Sequence, residues 1–499
     1  MSPSSAHADR DEVVLVYPPT GWEDPGAVLP PLSLLTLVPP LREVGLRATV
    51  LDVRKDPAWR RTLEDRIATG RVLAVGISSM TGPQIHGGLD AARVTRAADP
   101  SVPIVWGGVH ASLVQESTLR HALVDAIVVG EGDRSLPALA CALRDTGGLA
   151  AVPGVGVLDD SHRPHVEPEP PRTPLDEMAL PQYDAVDLTR YRSTLFGTPA
   201  TSLPFVTSRG CPYRCTYCYN RVFDKRRWRA MSAPRARSAF EEIHQRYGAR
   251  DIFLLDDEFF IDIQRVRQFA EEMRSSTVEF RFHNANCRVG EVLRFTADDL
   301  SSIVAAGFRQ MFVGVESGND EVLDRMEKDH TVADVLEANR RLATTDLVPA
   351  YSFMAGLPFE RVDQVHDTLH LMERLVRDNP NARILPLSID SPFPGTPLFE
   401  TCLSMGFTAP EDLEGWTRVR YDRNNFPGFT ADDSRFIEDA HYLSGFLDGR
   451  TFRTVSMRFA ALRGWVGAVV RLRARHRLWR VRPLMALRRW LRQRSRAPS

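Results

Sequence analysis

Short apolar runs alternate with amphipathic helical stretches over residues 12–145. The runs are rich in Val, Ile and Leu, and the segments between them repeat apolar residues at helical spacing. This alternation predicts an α/β fold in which a doubly wound parallel sheet carries helices on both faces. Pro39 and Pro40 interrupt the first helical segment, so we expect a kink or a break there. The predicted strands are EVVLVY, RATVLD, VLAVGIS, PIVWGG and DAIVVG.

A second alternating series begins near residue 200 and continues to about residue 390. Its six β/α units predict a barrel, and the number of units indicates a partial (β/α)6 form. In such barrels the chemistry lies on loops at the carboxyl ends of the strands. The predicted strands are PFVTS, DIFLLD, EFRFHNAN, QMFVGVE, AYSFMAG and ILPLSI.

The composition changes between and after these series. Many prolines lie between residues 150 and 199, which predicts a linker of irregular structure. We therefore expect four regions: a Rossmann-like domain, the linker, the barrel, and a helical Arg-rich C-terminal region. Their predicted bounds are 1–149, 150–199, 200–424 and 425–499.

The overall composition is that of a soluble globular protein. Of the 499 residues, 43% are hydrophobic and 25% are charged. Six cysteines in so long a chain do not make a disulfide framework. We see no secretory signal at the N-terminus and no uncharged apolar run of roughly 18 residues, the length of a spanning helix. These features predict a cytoplasmic protein in a reducing compartment.

The charge is distributed unevenly. From Gly449 to the end there are 15 arginines and no acidic residue, which leaves 48 basic against 64 acidic residues before that point. Trp465, Trp479 and Trp490 lie among these arginines, a pattern that suits peripheral contact with an anionic membrane. The other interpretation, which we favour, is a helical appendage packed on the acidic body. No recognition motif accompanies the charge, so nucleic acid is not an expected partner.

Three of the six cysteines, Cys211, Cys215 and Cys218, fall within RGCPYRCTYCYN, directly after the first predicted barrel strand. Thiolates are soft ligands that suit zinc or iron–sulfur clusters. A structural zinc takes four ligands, and neither Cys287 nor Cys402 belongs to a CxxC pair that would complete the set. Three cysteines on a four-iron cubane would leave one iron open. A zinc site with a distant fourth ligand, or buried free thiols, are the alternatives.

The spacing CxxxCxxC, with the aromatic Tyr217 before the last cysteine, resembles the radical S-adenosylmethionine enzymes over residues 200 to about 400. The resemblance implies a [4Fe-4S] cluster on the three cysteines, with S-adenosylmethionine on the open iron and beside Tyr217. It also implies that one electron cleaves S-adenosylmethionine to a 5'-deoxyadenosyl radical. An external reductant of the flavodoxin or ferredoxin type is then required.

Later strand ends match further family contacts to S-adenosylmethionine. DDEFF, with Asp256 and Glu258, stands where the family often has a Gly-Gly-Glu stretch, but it lacks the glycines, so the role transfers only to the segment. GVESG, with Glu316 and Ser317, fits the fourth-strand contact, and AGLP, with Gly356, fits the turn beside adenine. Singly, such residues are more often a helix N-terminal charge or a plain turn. Their order along the chain favours the binding role.

Four strand ends of the N-terminal series carry small or polar residues. Glycine pairs there let a ligand approach the backbone, and open α/β sheets bind ligands at this edge. Composition alone would allow a nucleotide, but the ordered set PP, S-M-T, GG-H and GEG resembles the cobalamin-binding domain of B12-dependent radical enzymes. The predicted cobalamin-binding residues are Pro18, Pro19, Ser79, Met80, Thr81, Gly107, Gly108, His110, Gly130, Glu131 and Gly132.

One departure concerns the lower face of cobalt. The Asp-x-His-x-x-Gly element that offers an axial histidine in classical cobalamin domains is absent after the first strand. His86 and His110 lie on suitable loops, but a lone histidine there is more often a hydrogen-bonding residue than a ligand. The lower axial ligand therefore stays unassigned.

Together the two resemblances imply a cobalamin-dependent radical S-adenosylmethionine enzyme, and we expect a C-methyltransferase acting on an unactivated carbon of a small molecule. In the implied mechanism one S-adenosylmethionine supplies the methyl group through cobalamin, and a second supplies the radical. The same apparatus could instead catalyse cyclisation, ring rearrangement or oxidation. A non-catalytic cobalamin or cluster sensor is the alternative of another class. No motif names the substrate, whose specificity surface we place in residues 150–200 and 390–450.

Overall fold

The computed structural model describes most of the chain and consists of two consecutive α/β units. The first is built on a seven-stranded sheet, and the second is an open barrel. The described residues are 9–21, 29–149, 151–191, 202–426, 428–448 and 460–476.

The N-terminal sheet has the strand order β2-β1-β3-β4-β5-β6-β7. Its first five strands are parallel, as predicted, and the last two are antiparallel additions at one edge. The strands are β1 (Glu12–Tyr17), β2 (Arg47–Asp52), β3 (Val72–Ser78), β4 (Ile104–Gly107), β5 (Ala126–Val128), β6 (Val155–Leu158) and β7 (Pro164–Val166). The helices of this unit are α1 (Leu32–Leu35), α2 (Val38–Glu43), α3 (Trp59–Ala68), α4 (Pro83–Ala98), α5 (Val109–Leu113), α6 (Gln115–Leu119) and α7 (Gly132–Thr146).

Both faces of this sheet are buried. Along β1, alternate side chains enter different cores: Val14 shares one with Leu89 of α4, and Leu15 shares the other with Leu41 of α2. This double burial explains why the strands read as continuous apolar runs. The strand order reverses between β1 and β3, so the carboxyl edge at that point is where open α/β sheets bind ligands.

The prolines of the first helical segment act as predicted. α1 ends at Leu35, and α2 begins with Val38, so the helix is broken. Pro39 and Pro40 occupy the first turn of α2, where a missing backbone N–H costs no intrahelical hydrogen bond.

Residues 151–191, the described part of the predicted linker, are more ordered than the irregular structure expected there. β6 and β7 extend the N-terminal sheet, because this segment alternates apolar residues at Val155 and Val157 with a turn before β7. Three short 3-10 helices follow, at Leu175–Glu177, Tyr183–Ala185 and Leu188–Arg190. The predicted regional bounds themselves stay a prediction.

The second unit is a partial barrel of six parallel strand positions, as predicted. Its third strand is in two pieces on either side of Asn284, whose φ is 60°, and these pieces join two halves of the wall. The strands are β8 (Leu203–Phe205), β9 (Ser208–Arg209), β10 (Arg229–Ala230), β11 (Asp251–Leu254), β12 (Arg281–His283), β13 (Ala285–Arg288), β14 (Gln310–Glu316), β15 (Val348–Ala355), β16 (Arg383–Ile384) and β17 (Ser388–Ile389). The halves have the orders β12-β11-β8 and β13-β14-β15-β16, with β17 also beside β15.

Helices cover the outside of the barrel. They are α9 (Ala233–Tyr247), α10 (Ile263–Ser275), α11 (Val289–Arg294), α12 (Ala297–Ala305), α13 (Asp320–Arg325), α14 (Val332–Leu342), α15 (Val362–Asp378), α16 (Pro397–Ser404), α17 (Ala431–Ser444) and α18 (Ala460–Arg475); α8 (Asn220–Phe223) instead lies in the loop between β9 and β10. A 3-10 turn at Gly415–Arg418 lies against α4 of the first unit.

The last described helix belongs to the barrel. Val466 and Val470 of α18 are buried in the main core, and Arg475 Nη2 donates to Glu373 Oε1 of α15 at 2.8 Å. The packed-appendage interpretation therefore holds for this helix, whereas residues 477–499 lie outside the described part of the chain. Within the described residues no helix is long and apolar enough to cross a membrane.

Candidate radical and corrin sites

The three cysteines lie on a loop whose ends are joined. β9 and β10 pair in antiparallel fashion with Arg209 opposite Arg229, so residues 210–228 form a closed loop. Gly210 has φ 81°, and a Cβ there would overlap a backbone carbonyl across the loop, so glycine is required. The Gly210 N–H also donates to Asp257 Oδ2 at 2.7 Å. These contacts fix the direction in which the loop leaves the first barrel strand.

The thiols of this loop are withdrawn from water. Cys215 is buried, and Cys211 and Cys218 are half-buried. Burial raises the pKa of Cys211 far above its usual value and that of Cys218 to about 12. Both are therefore neutral thiols until a cation is bound, and bound iron supplies the charge that releases the proton.

The donor set fits an iron–sulfur cluster. Among the residues that the structure describes, no three His, Cys, Asp or Glu side chains converge on one metal ion. A single zinc ion needs that convergence, whereas a cubane presents a separate iron to each thiolate. The assignment of the three cysteines to the cluster stays a prediction.

Sequence reasoning missed an arginine beside this loop. Arg288, the last residue of β13, donates from Nη1 to Cys215 Sγ at 3.0 Å and from Nη2 to the carbonyl oxygen of Lys328. Its guanidinium lies 3.9 Å from the ring centre of Tyr213. Arg288 therefore holds a positive charge beside the sulfur of the middle cysteine.

A second polar group lies where β14 ends. Glu316 has φ 72°, a left-handed conformation that residues other than glycine rarely adopt. Lys328 Nζ donates to Glu316 Oε1 at 3.0 Å, and Tyr217 Oη donates to the same oxygen at 3.1 Å. Lys328 was not predicted, although it is one of only three lysines in the chain. The set suits a ligand that carries both carboxylate and amino or hydroxyl groups.

The first carboxylate of the DDEFF segment, that of Asp256, is taken up by hydrogen bonds to neighbouring residues of the barrel. Asp256 accepts hydrogen bonds from the N–H and hydroxyl of Thr207, each at 2.7 Å, and from Ser208 Oγ at 2.6 Å. Glu258 differs, because its Oε1 is buried and has no partner among the described residues. Burial and the neighbouring Glu291 raise the pKa of Glu258. Both residues stay predicted ligands of S-adenosylmethionine, with Glu258 the better placed.

The remaining predicted contacts lie at the next strand ends. Ser317 Oγ is 3.3 Å from Thr368 Oγ1 and accepts the Asn319 N–H at 3.2 Å. Gly356 has φ 79°, and its N–H donates to Glu360 Oε2 at 2.8 Å. The turn after β15 is therefore held by a buried carboxyl group, which sequence reasoning also missed.

The strand ends of the N-terminal sheet are closely packed. Ser79 Oγ donates to the Gly107 carbonyl at 2.9 Å, and Gly108 has φ 96° with room for no Cβ against the Ser79 carbonyl. The loops of Pro18 and Met80 are tied through Gln84, which donates to the Pro18 carbonyl at 3.1 Å and accepts the Met80 N–H at 2.7 Å. Pro19 closes the same loop against Gly87.

His110 is wholly buried at the start of α5. Its Nδ1 lies 3.0 Å from Thr81 Oγ1, and its ring centre is 5.7 Å from that of Trp416. Burial lowers the pKa of His110 to about 3, so the ring is neutral. His86, the other candidate, is exposed and lines a cleft of about 400 Å³ with Pro19 and Arg420. The expected hydrogen-bonding role of His110 stays a prediction.

The GEG loop reaches the barrel. Gly130 has φ 75°, and Gly132 begins α7. Between them, Glu131 Oε2 accepts a hydrogen bond from Arg209 Nη1 at 2.6 Å, and the carboxylate also contacts Arg229 and Arg172. Arg209 and Arg229 form the neck of the cysteine loop, where the loop leaves and re-enters the barrel wall. The predicted corrin edge is therefore in direct contact with this neck.

Known proteins match both units. Residues 205–372 match the family model of the radical SAM superfamily, and residues 23–140 match that of the B12 binding domain. A solved structure of the cobalamin-dependent S-adenosylmethionine radical enzyme OxsB, with aqua-cobalamin and S-adenosylmethionine bound, has a TM-score of 0.71 at 17% identity. That match covers 95% of this chain and 72% of the other.

Two curated relatives extend across most of the chain. An uncharacterized methyltransferase of Pyrococcus horikoshii is 25% identical over 415 residues, which cover 82% of this chain and 86% of the relative. The anaerobic magnesium-protoporphyrin IX monomethyl ester cyclase of Synechocystis sp. is 26% identical over 371 residues, covering 73% and 72%.

The chain belongs to the radical S-adenosylmethionine enzymes that carry a cobalamin-binding domain. The predicted fold class is confirmed, and the cofactors of this family are a [4Fe-4S] cluster, S-adenosylmethionine and cobalamin. Membership also implies a small-molecule substrate and an external reductant.

Proposed function

We propose that the protein transfers a methyl group to an unactivated carbon of a small molecule. The observation that carries this proposal is the contact between the GEG loop and the neck of the cysteine loop, with Glu131 and Arg209 2.6 Å apart. A substrate carbon bound between the GEG loop and the cysteine loop would lie within reach of both the cobalamin site and the S-adenosylmethionine site. A relative that is named as a methyltransferase supports methyl transfer in general.

When bound, the cofactors supply the one-electron chemistry and the methyl group. The chain supplies position and exclusion of water. Cys211, Cys215 and Cys218 would hold the cluster, and Arg288 would keep its hydrogen bond to the middle sulfur. Glu316 would accept hydrogen bonds from S-adenosylmethionine.

Tyr421 and Val419 contact the loop that follows β3 in the N-terminal unit. Tyr421 Oη donates to the Thr81 carbonyl at 3.5 Å, and a Cβ on Gly82 would lie 2.7 Å from the Val419 carbonyl oxygen. This segment belongs to the region in which we expect substrate specificity. The ring centre of Phe393 lies 6.5 Å from that of Tyr421 and 5.7 Å from that of Tyr219.

Ring formation without methyl transfer is a second candidate, favoured by the similarity to the cyclase. Reconstituted protein should be incubated anaerobically with reductant and methyl-labelled S-adenosylmethionine, and the corrin and nucleoside products analysed by mass spectrometry. Labelled methyl on the corrin together with 5'-deoxyadenosine supports methyl transfer. 5'-Deoxyadenosine without label on the corrin supports the cyclase-like candidate. If neither forms, while the protein still binds both cofactors, the sensor alternative is favoured.

We also infer that the outer face of α18 contacts anionic membrane. Trp465 and Leu472 are 57% and 55% exposed and lie seven residues apart, hence on one face of the helix. The arginines after residue 449 would add attraction to acidic lipids.

Flotation with phosphatidylserine vesicles tests this. Wild-type protein should float at low salt and be released at high salt. Replacing both Trp465 and Leu472 with Gln should reduce flotation, whereas Leu403→Gln, at an exposed leucine of α16, should not. Failure of the wild-type protein to float at low salt would contradict membrane contact.

A further inference from the structure

We propose that Glu131 is a positioning residue that sets the spacing between the cobalamin and cluster sites. Its backbone belongs to the GEG loop at the predicted corrin edge, and its side chain clamps the neck of the cysteine loop. The proposal rests on the proposed cofactor sites, and its test separates failure of the clamp from failure of those sites.

The clamp engages both strands of the neck. Arg209 and Arg229 are opposite each other in the β9–β10 pair. Arg209 Nη1 donates to Glu131 Oε2 at 2.6 Å, and Arg229 Nη2 donates to Glu131 Oε1. One carboxylate therefore binds the two residues through which the loop leaves and re-enters the barrel wall.

A third arginine completes the arrangement. Arg172 Nη1 lies 3.4 Å from Glu131 Oε1 and also contacts Asp224, which follows α8 at the far end of the cysteine loop. Arg172 Nη2 donates to the Phe223 carbonyl at 2.7 Å. The linker thus attaches the downstream end of the loop to the same carboxylate.

The carboxylate of Glu131 is buried, so water cannot easily replace it in its contacts with the arginines. The Glu131 side chain is only 9% exposed, so its charge-assisted hydrogen bonds are not readily exchanged for bonds to water. Removing the carboxylate would leave three arginines close together without their shared counter-ion, which would push the neck away from the GEG loop. Gly130 and Gly132 on either side of Glu131 carry no side chain that could replace its carboxylate, although Asp133 reaches Arg229 indirectly through Thr173.

The predicted cluster and cobalamin sites lie next to the two segments that Glu131 joins, the cysteine loop and the GEG loop. Cys211 is two residues beyond Arg209, and the glycines of the GEG loop are adjacent to Glu131. A shift of the neck is therefore passed directly to the first cluster ligand. This role differs from the predicted corrin contact, because the carboxylate is directed towards Arg209 and Arg229 at the neck of the cysteine loop.

The test uses the holoenzyme with cluster and cobalamin loaded. Cob(II)alamin is paramagnetic, and a reduced [4Fe-4S] cluster speeds its electron-spin relaxation by an amount that falls steeply with their separation. We expect this enhancement to be strong in the wild-type protein and to be lost or clearly weakened in Glu131→Gln and Arg209→Lys. The variants should retain the iron and corrin contents of the wild-type protein.

The matched control is Glu414→Gln. Glu414 pairs with His121 across the same two units at 2.9 Å but touches no part of the cysteine loop, so the relaxation enhancement should be unchanged. Hydrogen exchange provides a second measurement that needs no cofactor: amides of residues 209–230 should exchange about tenfold faster in Glu131→Gln.

The possible outcomes distinguish failure of the clamp from failure of the cofactor sites. Wild-type relaxation and exchange in Glu131→Gln, with both cofactors bound, would overturn the proposal. If the wild-type protein binds no cobalamin, the proposed function fails, and hydrogen exchange still tests the clamp. If Glu131→Gln does not fold, Arg209→Lys keeps the charge and tests the geometry alone.

Discussion

Replacing Glu360 with Gln should make the barrel more stable at alkaline pH. Glu360 is buried beneath the turn after β15, where Oε2 accepts the Gly356 N–H at 2.8 Å. Its Oε1 is buried and has no partner among the described residues. Burial raises the pKa of Glu360 to about 8, and the nearby Asp390 acts in the same direction. The native carboxyl therefore stays protonated at neutral pH.

The sign of the effect follows from proton binding. In the unfolded chain Glu360 ionises near its usual value of 4.5, whereas the native protein holds the proton up to about pH 8. The native state therefore loses about 1.4 kcal/mol relative to the unfolded state for each pH unit above 4.5. The loss reaches about 5 kcal/mol near pH 8 as an upper bound. Glutamine does not titrate, and its carbonyl oxygen can still accept the Gly356 N–H.

Thermal unfolding under anaerobic conditions measures this difference. At pH 5 the two proteins should melt at similar temperatures, and at pH 8 the Gln variant should melt higher by up to about 10 °C. Glu271→Gln on the exposed surface of α10 is the control and should show no pH-dependent difference. A Gln variant that melts at or below the wild-type temperature at pH 8 would refute the reasoning.

Four further predictions concern the sites and the tail. Replacing the three loop cysteines with Ala should abolish the brown charge-transfer absorbance and the bound iron, and retention of about four irons per chain would contradict the cluster assignment. His110→Ala should retain corrin through gel filtration, whereas corrin loss would indicate a ligand role. Lys328→Met should weaken binding of S-adenosylmethionine, measured by calorimetry on the cluster-loaded protein, and unchanged affinity would remove Lys328 from the site. A chain ending at His476 should keep cleavage of S-adenosylmethionine, but one ending at Gly464 should melt lower because it lacks the buried face of α18.

The strands were predictable because of how they are buried. All eleven predicted runs coincide with strand positions. The runs of the N-terminal sheet are apolar because parallel strands are covered on both faces, whereas EFRFHNAN, at β12 and β13, also carries polar residues. The break in the first helical segment was predictable because proline removes a backbone donor wherever it stands. β6 and β7 were missed because Pro164 and the neighbouring prolines dominate the composition there, and an edge strand tolerates proline.

Polar contacts between residues far apart in the chain could not be predicted from the spacing of residues in the sequence. Arg288 meets a cysteine 73 positions earlier, and Lys328 meets Tyr217 across 111 positions. Neither residue stands in a pattern that predicts its partner. The rarity of lysine in an arginine-rich chain was a usable signal for Lys328, because arginine at that position would present a larger, planar group.

The GEG loop shows that a shared motif predicts backbone conformation more reliably than it predicts side-chain contacts. Gly130 and Gly132 matter through the backbone they permit, and the positive φ of Gly130 is a property of the loop itself. Glu131 matters through its side chain, whose partners come from β9, β10 and the linker, and nothing in the motif specifies those elements. A resemblance at a strand end therefore supports the backbone approach of a ligand more strongly than it supports any side-chain contact. For this reason the cobalamin role of the two glycines is the firmer prediction, and the carboxylate between them is better tested as the clamp on the cysteine loop.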